Sequence, residues 1–221
     1  MAVDQRTSPA YSPVQSAGRH ARRLTGGGTS GNERLTAAAG ALLLAPLAVI
    51  GVTLLQLRQL LSVHMFVGML LIPPVLLKMG STGYRFIRYY TADPAYRRKG
   101  PPEILLRVLA PGVVLSTAVV FTSGVALLFA GPSSRGTLLP IHKLSFIAWA
   151  AFISIHVLSH LPALPSALRA DYGRQAQLSS HVTGRNGRVL SLGGVVVAGV
   201  VLAVLLIPEF GPWLHSYHGD H

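Results

Sequence analysis

Three histidines lie in the mostly apolar stretch IHKLSFIAWAAFISIHVLSH, residues 141–160: His142, His156 and His160. Imidazole is the commonest metal-ligating side chain and the usual proton carrier near neutral pH. Spacing separates the chemistries open to it. On an α-helix, fourteen steps of 100° return to within about 40° of the starting direction and advance about 21 Å. His142 and His156 therefore share a face at two depths, which suits ligands near opposite leaflets of a bilayer and not two ligands of one ion. His160 lies one turn beyond His156, at about 6 Å on the same face. Two imidazoles alone make an incomplete zinc site.

A second apolar stretch, LLSVHMFVGMLLIPPVLLKMG at 60–80, repeats the offset with different chemistry, because His64 plus fourteen is Lys78. If the two stretches run parallel and face each other, the imidazoles of His64 and His142 approach one iron from opposite sides. Two neutral imidazoles are standard axial ligands of a b-type haem, and a six-coordinate iron suits electron transfer. A flat macrocycle needs close helix approach, and Gly68, one turn after His64, provides that by having no side chain. The plainer reading is that both histidines bond between helices. Matching depth, direction and offset favour the haem.

At the deeper level His156 is the candidate ligand and Lys78 occupies the position of its partner. Lysine ligates iron only when neutral. Lys78 could instead extend its ammonium to the headgroups, or pair with a haem propionate, a quinone or a lipid. A second haem near His156, with His160 bonding to its propionate, stays open. Arg135 and Lys143 flank His142, where they either neutralise propionates or are simply interfacial. The terminal HSYHGDH, from His215 to His221, could bind a metal loosely, with terminal disorder the plainer account. His20 and His181 fall in polar segments and have no defined partner.

The elements that must position these residues are legible in composition and pattern. Half of the 221 residues are hydrophobic, and only 12% are Asp, Glu, Lys or Arg, about half the usual charged share. Apolar runs at roughly 35–57, 60–79, 104–130, 138–164 and 189–208 are each long enough to cross a hydrocarbon core as a helix. Most have no polar stripe. The expected fold is an all-α, polytopic membrane bundle of five transmembrane helices. Residues 1–33 read as a disordered cytoplasmic tail, 34–210 as the bundle and 211–221 as a short extracytoplasmic tail.

The net charge of +12 does not point to nucleic acid, because the basic residues lie between the apolar runs. They gather in the N-terminal tail, in the second connection (Arg85 to Lys99) and after the fourth run (Arg169 to Arg188). All three groups fall on one side only if five helices are threaded with the N-terminus in and the C-terminus out. Anionic lipids are the expected partners of these segments. Pro73-Pro74 is expected to kink the second helix. Gly193, Gly194, Ala198 and Gly199 are expected to admit a close neighbour on the fifth. The absence of cysteine excludes disulfides and covalent haem attachment. No paired carboxylates, Ser–His–Asp set or phosphate-binding loop is present.

The pairs His64 with Lys78 and His142 with His156 resemble those of the four-helix membrane cytochromes b, which include b-type subunits of bacterial respiratory oxidoreductases. The resemblance covers about 60–165 and rests on spacing. A resemblance to the cytochrome b561 group is weaker, because those usually provide both complete pairs. It implies non-covalent haem b, a four-helix core and electron transfer between a membrane quinone and a peripheral or membrane redox subunit. It also implies a bacterial plasma-membrane location and a place in a respiratory chain. Lys78 departs from the pattern, which has histidine there. The chain is thus expected to be an electron-transfer subunit of an oxidoreductase complex rather than a catalyst by itself. The competing expectation is a haem-free transporter, channel component or scaffold that uses its intramembrane Lys and His residues.

Overall fold

A computed structural model describes residues 28–98, 104–172 and 184–218. The expected cytoplasmic segments 1–27, 99–103 and 173–183, with His20 and His181, lie outside the described residues, as do 219–221. Helix α1 spans Gly28–Leu55, α2 Leu57–Tyr90, α3 Pro94–Arg97, α4 Ile104–Ala130, α5 Arg135–His160, α6 Leu164–Tyr172, α7 Arg185–Leu205 and α8 Gly211–His218. No strand occurs among the described residues. Helices α1, α2, α4, α5 and α7 are long and apolar enough to cross a membrane, so the chain is an all-α polytopic bundle.

Two hairpins and a fifth helix make up the bundle. The closest backbone packing joins α1 to α2, α4 to α5, and α2 to α7. The first hairpin turns on the single residue Gln56, whose carbonyl accepts from the amides of Gln59 and Leu60. The second turns at Gly131, where φ is +71° and Pro132 follows. Glycine takes that conformation without a Cβ clash. Both turns lie at one end of the bundle, called the hairpin end below. The opposite end gathers the arginines, and Arg85 there pairs with Glu33 at 3.5 Å. Asp93 caps α3 by accepting from the amides of Ala95 and Tyr96, with Pro94 at the first helical position.

At Pro73-Pro74, where a kink is expected, α2 stays helical through both prolines. Its one residue with non-helical dihedrals is Leu60, beside the hairpin turn. Proline's φ suits a helix, but Pro74 leaves the carbonyl of Leu70 without its i+4 amide. That carbonyl lies against Gly199 of α7, so close that any side chain there would meet it. The freed oxygen and the missing side chain are thus one contact, with the neighbouring helix covering the gap. Of the expected small residues only Gly199 makes the approach, with the fully buried Ala203 one turn further on; Gly193 and Gly194 have open space beside them and Ala198 is exposed.

The buried core sits between α2, α4 and α7 at the hairpin end. Met69, Leu128, Ala203 and Phe210 form one cluster and Leu61, Leu127 and Trp213 another. Phe210 and Trp213 belong to the segment after α7. Residues 211–218, expected as the start of a tail, form helix α8 and fold back onto the bundle.

Candidate functional site

His64 stands two turns into α2 and His142 two turns into α5, both near the hairpin end. The site is best built from what holds each ring. The Thr53 hydroxyl, on α1, donates its single proton to the carbonyl of Ile50 at 2.6 Å. Its oxygen also lies 2.9 Å from His64 Nδ1. A hydroxyl that has given away its proton can only accept, so His64 Nδ1 carries the hydrogen. In a neutral imidazole Nε2 is then the unprotonated nitrogen.

His142 repeats the arrangement on the second hairpin. Its Nδ1 lies 3.1 Å from the carbonyl of Val120, which can only accept, and 3.1 Å from Ser123 Oγ. The Ser123 hydroxyl donates to the same carbonyl at 3.1 Å. The hydrogen is again on Nδ1 and the lone pair on Nε2. Gly124 makes room for this ring: a Cβ there would sit 3.1 Å from His142 Cε1. Among the described residues neither Nε2 has a hydrogen-bond partner. An imidazole whose Nδ1–H is bonded to a carbonyl or hydroxyl and whose Nε2 is left over is the form that binds metal.

Both rings line one cavity between the hairpins. The cavity is partly open to its surroundings. Its walls are apolar, with Phe121, Phe146, Trp149 and Trp213 as the aromatic surfaces. Gly68 and Gly124 also line it, and a Cβ on Gly68 would meet nothing within 4 Å. Gly68 therefore leaves open space facing the cavity and supports no close helix contact. Trp149, seven residues after His142, is held by an Nε1–H bond to Thr117 Oγ1 at 3.1 Å. Helices α2 and α5, which carry the two histidines, are not among the closely packed pairs.

The remaining candidates lie elsewhere. Lys78 turns toward α1, where its ammonium donates to the Thr36 carbonyl at 2.7 Å and rests over Gly40. Ser81 and Thr36 join their hydroxyls at 2.9 Å, and Asn32 donates to the Ser81 carbonyl at 3.0 Å, so this is a polar clasp between α1 and α2. His156 and His160 stack edge to face, with ring centroids 4.6 Å apart. Arg135 begins α5 and Lys143 is exposed; neither lines the cavity. No group of three or more His, Asp or Glu able to hold a metal ion occurs among the described residues.

Sequence reading singled out His64, Gly68 and His142, and the fold brings these three to one cavity. It missed Thr53, Ser123, Trp149 and Trp213 as site residues. A usable signal existed for the first two: each is a hydroxyl inside an apolar run, at the depth of a histidine on the next helix. Trp149 is marked by its heptad offset from His142, and Trp213 by nothing local.

The fold and site together define a polytopic helical membrane protein with a paired-imidazole cavity. Compared with protein-family models, curated proteins and solved structures, the chain matches none.

Proposed function

We propose that this chain is an integral-membrane b-type cytochrome subunit that holds one haem between His64 and His142. It would pass electrons between a membrane quinone and a partner redox protein, in a bacterial plasma membrane with the hairpin end outside. One observation carries the reading: two imidazoles on facing hairpins line a single apolar cavity, each with its hydrogen held on Nδ1 and its Nε2 left for a ligand. Hydrogen bonds between helices would account for one nitrogen of each ring; they leave the second nitrogens and the cavity unexplained.

The residues present fit the group. His64 and His142 would hold the iron, and Thr53, Ser123 and the Val120 carbonyl keep both rings in the ligating tautomer. Gly68 leaves room, and the aromatic and aliphatic walls suit a flat apolar ring system and exclude water. Haem supplies reversible one-electron chemistry when bound. The chain's own part is to hold the site dry and rigid, so that little reorganisation accompanies a change of charge.

The bond from Lys78 to α1 favours a count of one haem. Its ammonium is engaged by the Thr36 carbonyl and directed toward α1, which supports a helix clasp over an iron ligand or a conduction path.

The test is the absorption spectrum and haem content of the purified chain. One haem b per chain with a low-spin reduced α band is expected, lost in both His64→Ala and His142→Ala. A colourless, monodisperse wild type, or either variant keeping the full low-spin spectrum, refutes the assignment.

A further inference from the structure

Beyond α7 the chain turns back over the bundle. Ile207–Phe210 forms a 3-10 turn containing Pro208, and the eight-residue α8 follows. A helix that short has no stability of its own in water, so contacts must hold it. Phe210 is 4% exposed and packs on Met69, Leu128 and Ala203. Trp213 is 6% exposed and packs with Leu61 and Leu127, its Nε1–H donating to the Leu127 carbonyl at 3.1 Å. That carbonyl belongs to the last turn of α4, where it also accepts from Gly131. Trp213 lines the cavity of His64 and His142, and no spanning helix supplies it, unlike every other lining residue.

We propose that α8 closes the cofactor cavity and that Trp213 is a cofactor-binding wall, sealing the His64–His142 site from water at the hairpin end. The identity of the occupant rests on the haem reading above; the closure is a property of the chain alone. Its consequence follows from charge. Oxidised iron carries one more positive charge than reduced iron, and water stabilises the more charged state. A seal that keeps the site dry therefore favours the reduced form and raises the midpoint potential.

The chain has no cysteine, so a single one reports access without interference. Leu139→Cys places a thiol on the cavity wall. In nanodiscs, with both faces open to solvent, the rate of its alkylation by a charged, water-soluble maleimide is measured. Adding Trp213→Ala is expected to raise that rate at least tenfold. Adding His215→Ala, on the exposed side of α8, leaves it unchanged. Trp213→Phe keeps most of the ring volume but loses the bond to Leu127; it gives an intermediate rise and decides the matter alone if the alanine variant does not fold. In haem-loaded protein both Trp213 variants lower the midpoint potential. Equal alkylation rates with and without Trp213 overturn the closure even if the protein is haem-loaded. A haem-free wild type that still shows the rate difference overturns the haem reading and leaves the closure standing.

Discussion

Thr53 Oγ1 accepts from His64 Nδ1 across 2.9 Å while its own proton goes to the Ile50 carbonyl. Thr53 is 1% exposed, so no water can take its place without rearrangement. One hydroxyl on α1 thereby sets which nitrogen of a ring on α2 remains basic. Ser123 has the same role for His142, but shares it with a backbone carbonyl. The difference between these two supports makes the site testable in graded steps.

Thr53→Val keeps the shape and removes the acceptor. It leaves the His64 Nδ1–H buried without a partner, at a cost of about 1–3 kcal/mol. Loss of such an orienting partner typically weakens ligation by about 10–100-fold. Haem titration into the depleted protein should show that loss for Thr53→Val and near-native binding for Thr53→Ser.

Ser123→Ala should be milder. The Val120 carbonyl remains 3.1 Å from His142 Nδ1 and keeps its hydrogen in place. Haem affinity is expected to fall by less than about tenfold, below the loss in Thr53→Val. An equal or larger loss in Ser123→Ala would show that the hydroxyl, and not the carbonyl, holds the tautomer.

Two glycines should respond in opposite ways. Gly68 has open space beside it, so Gly68→Leu fills the cavity and blocks haem while the apoprotein keeps its melting temperature; leaving glycine behind in a helix even favours folding by up to about 1 kcal/mol. Gly199 sits on the Leu70 carbonyl, so Gly199→Ala must push α7 from α2. Overpacking of this kind costs about 1–3 kcal/mol. Thermal melts and haem content, measured on both variants, separate the two roles.

Lys78→Met removes the bond to Thr36 and leaves the site near His64 untouched. The haem spectrum and stoichiometry should be unchanged, with stability falling by no more than about 3 kcal/mol, the scale of a charged hydrogen bond. A halved haem content in Lys78→Met would instead place a second haem beside this lysine.

Much of this architecture is written in runs of residue types. The spanning helix α4 matches its apolar run at 104–130 end to end, and α2 begins three residues before the run at 60–79. The largest departure is the far end of α2, which continues eleven residues past its run to Tyr90, while α5 and α7 differ from theirs by three or four residues at each end. Helix α5 starts at Arg135 because the turn at Gly131-Pro132 already points the chain into a helix, and it stops before Leu161-Pro162. The equal depth of His64 and His142 was legible because it follows from spacing and direction alone; that both rings face one cavity was not. The fate of Lys78 was not, because a long flexible side chain can reach either neighbour, and only the gap over Gly40 shows which.

By itself the sequence determined the number of spanning helices, their alternation, and the depth of each histidine, since these depend on length, apolarity and the rise per residue. Tertiary structure alone decided the rotation of each helix about its axis. That rotation set Thr53 behind His64, Ser123 behind His142 and Gly199 on the Leu70 carbonyl, and it let α8 carry Trp213 to the cavity wall. Helices in lipid turn about their axes at little hydrophobic cost, because one apolar face serves as well as another there. Close packing and a few directed hydrogen bonds choose the angle, and those join residues far apart in the chain.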